Sequence, residues 1–378
     1  MPNALRLTVL LLTALTINTP VVAEIEIGGY YKNLFVSSRT LSLFPPAESY
    51  LLDLNRLRVK LDGNLGDRTS FDIQYDNEVL LGDYLGTTQF SAIKDLQPDT
   101  YFALERNYID SENLYASHRL YRAYVTLAFP EADLRVGRQR IAWGTAMLWN
   151  PMDLLNPFNP IQLEREERQG IDAALLDWNY DVLSRVSLVY ARQRSGSSAA
   201  ARWRTNQKGF DLSFMAGRFR DDTVAGFDFS GQVGNIGVKG EITRTDMADE
   251  DSFIRAVVGA DYTFANTLSL NLELYFNGQG SPDTAGYDFS RLVTGEVQSL
   301  ARRYVGGYLG YDITPLLRWD NYLIFNLDDD SVFLAPNLAY SLSDNMEVTA
   351  GVQAFNGDPG TEYGTLENLY YLQFQLFF

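Results

Sequence analysis

Apolar and polar residues alternate along most of the chain, in short runs that turn residues separate. One clear run covers residues 268–276 and another covers residues 346–354. Because neighbouring side chains of a β-strand point to opposite faces, each run predicts a strand with one apolar face. Short connections alternate with longer ones along the chain, which is typical of consecutive antiparallel hairpins. The longer predicted connections are residues 38–49, 81–116, 144–168, 245–252, 278–301 and 357–366.

The number of strands is constrained by parity. A barrel whose two termini lie on the same side of a membrane needs an even number of strands. The alternating runs satisfy this rule if residues 199–204 form a short strand and residues 205–209 a tight turn before the next run. The predicted fold is therefore all-β, a transmembrane antiparallel β-barrel of about 18 strands, with about 16 as the alternative if one weak hairpin lies in a loop.

The N-terminal residues have the pattern of an export signal. Residues 1–6 include an arginine, residues 7–17 are uncharged and mostly apolar, and residues 21–23 are small enough for a cleavage site. We expect a signal peptide at residues 1–23 and a single barrel domain at residues 24–378. The apolar run is too short for a helical membrane anchor. The chain contains no Cys, so we expect neither a lipoprotein nor a disulfide.

The last run of the chain ends on an aromatic residue. Its apolar positions resemble the C-terminal signature of Gram-negative outer-membrane barrels, which the barrel-assembly machinery reads: Tyr370, Leu372, Phe374, Leu376 and Phe378. A strand that ends in this way has a neighbour on both sides only when the barrel closes. The resemblance implies a location in the outer membrane of a Gram-negative bacterium.

Charge and composition narrow the set of partners. The formal net charge of -17 argues against a nucleic-acid partner. We expect contacts with outer-membrane lipid and lipopolysaccharide, and passage of small solutes. Acidic loops leave a divalent-cation site open as an alternative to simple solvation. The sequence does not decide the oligomeric state.

Alternation also predicts which charged side chains face the barrel interior. Two neighbouring strands place a basic row beside an acidic row, and two later arginines join them: Arg56, Arg58, Lys60, Asp72, Asp76, Glu78, Arg122 and Arg135. Opposite charges on adjacent strands either pair with each other or orient a passing solute. The alternation breaks at Gly137, where we expect a bulge, and it leaves open whether Arg138 or Arg140 points inward.

Asn-Pro steps make the predicted loop at 144–168 unusually rigid. Proline and its preceding residue restrict the backbone at successive turns, and the segment is apolar enough to need cover. The loop residues concerned are Asn150, Pro151, Asp153, Asn156, Pro157, Asn159 and Pro160. We expect this loop to fold into the lumen as a constriction, with Glu164, Arg165 and Arg168 at the narrow point. The alternative is an ordered loop on the barrel rim.

The same region carries a family resemblance. Residues 134–139, then Trp143-Gly144 and the Asn-Pro-x-Asp segment, resemble porin-like outer-membrane proteins of proteobacteria, with alginate-export barrels as more distant relatives. The likeness covers about residues 117–178 and implies an outer-membrane channel. A barrel of this predicted size leaves an aqueous interior. The expected function is passive diffusion of small hydrophilic solutes, with anions preferred because arginine binds carboxylate and phosphate well.

Catalysis has little support in the sequence. His118 is the only histidine, and we expect it to face the lumen together with Arg122. Its neighbour Ser117 points to the opposite face of the strand, so the two cannot act together. A single histidine without cysteine also argues against a metal site, and no cofactor is expected. The alternative to a diffusion channel is a conduit that exports a polysaccharide or sheathes another subunit.

Overall fold

The computed structural model describes residues 23–96, 98–157, 159–165, 167–168, 170–248 and 251–378. The predicted signal peptide at 1–23 lies outside these residues, apart from the backbone of Ala23. The strands are β1 Ala23–Arg39, β2 Ser49–Leu65, β3 Thr69–Leu81, β4 Glu105–Asp110, β5 Leu114–Ala128, β6 Ala132–Gln139, β7 Ile171–Asp181, β8 Ser184–Arg192, β9 Ser197–Gln207, β10 Phe210–Phe219, β11 Asp222–Val233, β12 Ile236–Asp246, β13 Phe253–Thr263, β14 Ser269–Asn277, β15 Arg303–Thr314, β16 Leu317–Asn326, β17 Val332–Ser343, β18 Met346–Asn356 and β19 Leu369–Phe377.

The strands form one closed antiparallel sheet. Each strand of the wall pairs with the next, and β1 closes the barrel against β19 with Tyr30 opposite Phe377. The short β4 pairs with residues 115–119 of β5, and β6 pairs with residues 123–128 of the same strand. The other 18 strands of the described chain make the wall. The predicted barrel of about 18 strands is therefore confirmed, and β4 is an additional strand inside the predicted connection at 81–116.

The predicted hairpin that makes the number of strands even is present. It consists of β9 and β10, which pair from Gln207 opposite Phe210 to Ser198 opposite Phe219. The first strand is longer than the predicted 199–204, and the turn shortens to residues 208–209. Lys208 adopts a positive φ of 54° there, next to Gly209 at 84°.

Connections at the two ends of the barrel differ in length. The turns at one end, here the short-turn end, have two to five residues, for example 234–235 between β11 and β12. The connections at the other end, the long-loop end, include two short helices, α1 (Thr88–Ile93) and α2 (Phe289–Val293). No helix in the described residues is long and apolar enough to cross a membrane.

The two faces of the wall carry different side chains. Large apolar residues such as Leu57, Val136, Leu188 and Leu272 are exposed on the outer face. Charged residues such as Asp76 and Glu273 are fully buried on the inner face. An apolar exterior around a polar interior is the reverse of a water-soluble β-sandwich and is the pattern of a barrel surrounded by lipid.

A bulge in β5 changes the faces that simple alternation assigns. The pairing of β3 with β5 passes from Tyr75 opposite Leu120 to Gln74 opposite Arg122, so Tyr121 is the extra residue. Tyr121 and Arg122 consequently both face the lumen. On the far side of the bulge, Arg119 reaches Asp76 inside the barrel, and His118 packs outside between the rings of Tyr75 and Tyr108. The prediction that His118 faces the lumen is wrong for this reason.

The prediction of a bulge at Gly137 is wrong, because β6 pairs without a register shift with both of its neighbours. Arg138 shares the outer face with Val136 and pairs with Asp172, Nη2 to Oδ2 at 2.9 Å. The backbone of Phe102 covers this pair, accepting from Arg138 at 2.6 Å and donating to Asp172 at 2.9 Å. Arg140 is therefore the arginine that points inward.

Candidate functional site

The connection between β6 and β7 leaves the wall and enters the barrel. We call residues 140–170 the lumen loop. Its Trp143, Met152 and Leu155 are buried against inward side chains of β7–β11, including Leu175 and Met215. Leu148 and Trp149 pack against the opposite part of the wall, where Trp149 stacks on Tyr275 with ring centroids 5.0 Å apart. The loop thus crosses the interior and touches the wall on several sides.

Two wall carboxylates hold the first half of the lumen loop. Glu241 of β12 accepts hydrogen bonds from the backbone N–H groups of Thr145 at 2.5 Å, Ala146 at 2.8 Å and Met152 at 3.0 Å. Glu273 of β14 accepts from Met147 at 2.6 Å, Leu148 at 2.9 Å and Trp149 at 3.4 Å. Backbone donors that would be orphaned inside the barrel are satisfied in this way.

The second half of the lumen loop is held by the opposite wall. Arg56 of β2 makes two parallel hydrogen bonds to Glu164, at 2.7 and 2.9 Å, and Lys32 of β1 adds a third contact at 3.1 Å. Arg58 contacts Glu167 at 2.8 Å. Carboxylates of the wall therefore hold the backbone of the first half of the loop, and cationic side chains of the wall hold the carboxylates of its second half.

The basic and acidic rows of β2 and β3 pair with each other beneath these contacts. Arg58 binds Asp76 through two hydrogen bonds of 2.5 and 2.7 Å, and Arg56 binds Glu78 at 2.6 Å. Arg119 of β5 bridges Asp76 and Glu78 at 3.1 and 2.8 Å. Cross-strand pairing thus neutralises most of this charge. Arg56 and Arg58 in addition form ion pairs with Glu164 and Glu167 of the lumen loop.

A cavity of about 1000 Å³ lies between the lumen loop, the β1–β5 wall and the β16–β19 wall. Six arginines line it, and three of them, Arg122, Arg140 and Arg165, form no ion pair with a carboxylate in the described residues. Arg165 also lies 3.5 Å above the ring of Tyr322. Arginine side chains that line a polar cavity without a carboxylate partner are suited to an anion.

Several solved structures have the same architecture, among them an outer-membrane protein. OccK8 (OprE) of Pseudomonas aeruginosa aligns with a TM-score of 0.58 at 11% identity over 94% of this chain and 98% of that chain. OccAB1 of Acinetobacter baumannii aligns with a TM-score of 0.59 at 10% identity over 96% and 98%. OpdK of Pseudomonas aeruginosa gives 0.59 at 11% identity over 94% and 98%. No protein-family model and no curated protein matches the sequence.

The chain has the porin fold. At 10–11% identity the likeness concerns the fold alone, and it confirms at that level the resemblance to Gram-negative outer-membrane porin-like barrels. In this porin fold the lumen loop is the third connection of the long-loop end, counted from the N-terminus with the β3–β5 connection as the second.

The Asn-Pro segment, residues 150–160, lies in the middle of the lumen loop. Asn156 accepts from the backbone of Ile141 at 2.7 Å, and Asp153 pairs with Arg168 at 2.8 Å, so the two limbs of the loop are joined. Asn159 accepts from the backbone of Ile161 at 3.0 Å. Of the remaining residues, Pro151 and Pro160 are buried, Asn150 is half-buried and Pro157 is exposed.

The carboxylates of the second limb are stabilised in their charged form. Burial alone would raise the pKa of Glu167, but Arg58, the hydroxyl of Tyr30 and further cations outweigh it and lower that pKa to about 2. The pKa of Glu164 is lowered below its usual value as well, since Arg56 and Lys32 outweigh its burial. Both groups are therefore ionised over the whole physiological range, and the limb stays bound through charge.

The other predicted residues have separate positions. Lys60 lines the cavity, Asp72 accepts from the side-chain amide of Gln74 at 3.1 Å, and the guanidinium of Arg135 lies 5.1 Å from the ring centre of Tyr124. At the C-terminus, β19 exposes Tyr370 and Leu372 on the outer face. Phe378 exchanges two backbone hydrogen bonds with Gly29, at 2.9 and 3.1 Å.

Sequence reasoning missed the residues that hold the lumen loop. Lys32 and Tyr30 follow two glycines in β1, where the alternation is weak. The sequence does indicate the position of Glu273, because its apolar neighbours Leu272 and Leu274 place it on the lumen face. Nothing in the sequence, however, indicates that its partners are backbone amides of residues 147–149.

Proposed function

We propose that this protein is a diffusion channel of the Gram-negative outer membrane that passes small hydrophilic solutes and prefers anions. The lumen loop is its constriction. The short-turn end faces the periplasm and the long-loop end faces the exterior, which places both termini in the periplasm. The Arg122, Arg140 and Arg165 cavity supplies the selectivity.

The observation that carries the proposal is that Arg122, Arg140 and Arg165 line the cavity and form no ion pair with a carboxylate of the described residues. A guanidinium group without a carboxylate partner can bind the carboxylate of a passing solute. Most other arginines of the inner wall, such as Arg56 and Arg58, are saturated by carboxylates. They would fix the loop, and the three cavity arginines would meet the solute.

A related solved structure supports an anionic solute. OpdK of Pseudomonas aeruginosa, which shares the fold at a TM-score of 0.57, has been solved with vanillate, an aromatic carboxylate. In the present chain Tyr30, Tyr121, Tyr322 and Tyr371 line the same cavity as the three arginines. A site of tyrosines and arginines suits a small ring that carries a carboxylate.

We further propose that the protein is a channel and not an enzyme. His118 is the only histidine of the chain, and it lies outside the lumen between two tyrosine rings. The turns at the periplasmic end have two to five residues, which gives a periplasmic export partner little to bind. Recognition of Tyr370, Leu372, Phe374, Leu376 and Phe378 by the barrel-assembly machinery, and binding of lipopolysaccharide, stay predictions.

The test is ion selectivity in planar bilayers. The refolded protein should conduct and show a reversal potential on the anion-selective side in a salt gradient. Replacing Arg122, Arg140 and Arg165 together by glutamine should reduce anion selectivity strongly. Arg244→Gln is the matched control, because Arg244 is exposed and lies on the outer face beside Ile242. Absence of conductance, or selectivity that survives the triple substitution, contradicts the proposal.

A further inference from the structure

Glu241 and Glu273 stand out among the charged residues of the inner wall. Both are almost fully buried, with 3% and 0% of their surface exposed. Neither forms an ion pair with a lysine or arginine side chain in the described part of the chain, although most other buried carboxylates of the wall do. Their partners are the six backbone N–H groups of the lumen loop described above.

We infer that Glu241 and Glu273 are the positioning residues that set the size limit of the pore. This inference rests on the proposed channel function and adds the residues that determine its selectivity by size. The two carboxylates fix residues 145–152 of the lumen loop against β12 and β14. With this half held to the wall, the opening is the space that the loop leaves along the β1–β5 and β16–β19 walls, where the cavity lies.

The chemistry of these contacts requires a carboxylate and not merely an acceptor. In Glu241, Oε1 accepts two N–H groups and Oε2 accepts one. In Glu273, Oε1 accepts one and Oε2 accepts two. A glutamine has the same shape but places an NH₂ group at one of these oxygens, so a donor would face at least one backbone donor. Convergent backbone N–H groups also make a concave site that favours a negative charge.

The backbone of the loop is shaped around the first carboxylate. Gly144 has a φ of 128°, a conformation that residues with a side chain rarely adopt. A Cβ at this position would lie 2.9 Å from Oε1 of Glu241 and 2.7 Å from Oδ1 of Asn150. Glycine here allows the chain to approach the carboxylate closely enough for the next two N–H groups to reach it.

A different role for the same residues has a distinct prediction. If Glu241 and Glu273 lined the pore, they would attract cations, and glutamine would lower cation permeability without changing the size of the opening. Their burial under the loop backbone argues that no solute reaches them. As positioning residues, they instead affect size, because glutamine releases the loop.

The experiment compares polymer exclusion from single channels of the wild type, Glu241→Gln, Glu273→Gln and the double variant. Poly(ethylene glycol) of increasing mass is added, and the largest polymer that lowers conductance gives the size limit. We expect the double variant to admit larger polymers and to conduct severalfold more, with smaller increases in the single variants. Aspartate at either position keeps the charge, and it should restore part of the wild-type limit. Glu347→Gln is the control, because Glu347 lines the cavity without holding the loop.

The outcomes separate this inference from the proposed function. An unchanged size limit in the double variant, or reduced cation permeability at an unchanged limit, overturns the inference while the channel proposal stands. Absence of conductance in the wild type refutes the channel proposal. Hydrogen exchange of the amides of residues 145–149 then still tests the positioning role, since these amides should lose protection in the double variant only if the two carboxylates hold them. Gel electrophoresis of heated and unheated samples verifies that each variant keeps a heat-resistant barrel and is therefore folded.

Discussion

The guanidinium of Arg56 and the carboxylate of Glu164 face each other in two parallel hydrogen bonds, Nη1 to Oε1 at 2.7 Å and Nη2 to Oε2 at 2.9 Å. Arg56 belongs to the wall and Glu164 to the lumen loop, and 4% and 16% of their side-chain surfaces are exposed. Such planar, paired contacts are the strongest that arginine makes with carboxylates. This one joins the second limb of the loop to the barrel.

Replacing Arg56 by glutamine should detach the second limb. Breaking a buried ion pair costs 3–5 kcal/mol, and we expect about 2–3 kcal/mol here because Lys32 and Arg119 still contact the remaining carboxylates. Single-channel recordings should show frequent fluctuations between conductance levels, as the limb moves in and out of place. Arg318→Gln, which removes a half-exposed arginine from the same cavity, is the control. Quiet recordings from the Arg56 variant would show that the limb is held by other contacts.

Gly306 of β15 should be intolerant of a side chain because the lumen loop packs directly on it. A Cβ at this position would lie 2.4 Å from Leu148 and 2.5 Å from the ring of Trp149. Valine at position 306 should therefore displace the loop, at a cost of about 1–3 kcal/mol. We expect a lower melting temperature and an enlarged conductance.

The neighbouring glycine supplies a matched control for this experiment. A Cβ at Gly307, which points to the other face of β15, would only come within 3.5 Å of the backbone of Asn271. Valine at position 307 should leave conductance unchanged. Equal effects of the two substitutions would indicate a general perturbation of β15 and would contradict the specific contact with Trp149.

The bulge at Tyr121 predicts an irregular pattern of accessibility along β5. Two consecutive positions, 121 and 122, should face the lumen, whereas positions 120 and 123 should face lipid. Because the chain has no cysteine, single cysteines can be introduced at these positions without background. A charged thiol reagent should modify the cysteines at 121 and 122 and leave those at 120 and 123 unmodified. Strict alternation of reactivity would contradict the bulge.

Much of the fold could be predicted because the wall repeats one rule. The alternation of apolar and polar residues predicted the strands of the wall, and the tight turn predicted at 205–209 contains the observed connection 208–209. The pairing of Arg58 with Asp76 follows from the same rule, since neighbouring strands of a hairpin place these residues side by side. These features depend on short segments, so one sequence contains enough information for them.

The features that escaped prediction depend on single insertions or on distant backbone. The bulge at Tyr121 adds one residue to β5 without any change in composition, and it reversed the predicted side of His118. The short strand β4 is polar and lies within a long connection, where alternation carries little weight. Glu241 and Glu273 bind main-chain N–H groups about 90 to 130 residues away, and main-chain groups leave no trace in a sequence.

Glu362 should make the exterior loops sensitive to pH. This residue of the β18–β19 connection is 1% exposed and accepts hydrogen bonds from the backbone of Leu300 at 3.0 Å, the hydroxyl of Tyr304 at 2.5 Å and the amide of Asn326 at 3.0 Å. It therefore joins three separate segments of the long-loop end. Burial raises its pKa to about 7, the hydrogen bonds opposing this effect and the negative charge of Asp329 adding to it.

The sign of the pH effect follows from the raised pKa. An acid whose pKa is higher in the folded than in the unfolded state stabilises the fold when protonated, so its contribution is fully present below the ordinary value near 4.5 and is lost as the pH rises through about 7. We expect the loop cluster around Glu362 to be more stable at pH 5 than at pH 8. Hydrogen exchange of residues 357–368, corrected for the intrinsic effect of pH on exchange, measures this difference. Glu362→Gln should abolish the difference, and Asp358→Asn, at an exposed position of the same connection, should preserve it. Greater protection at pH 8 in the wild type would mean that the three hydrogen bonds outweigh burial and keep Glu362 charged.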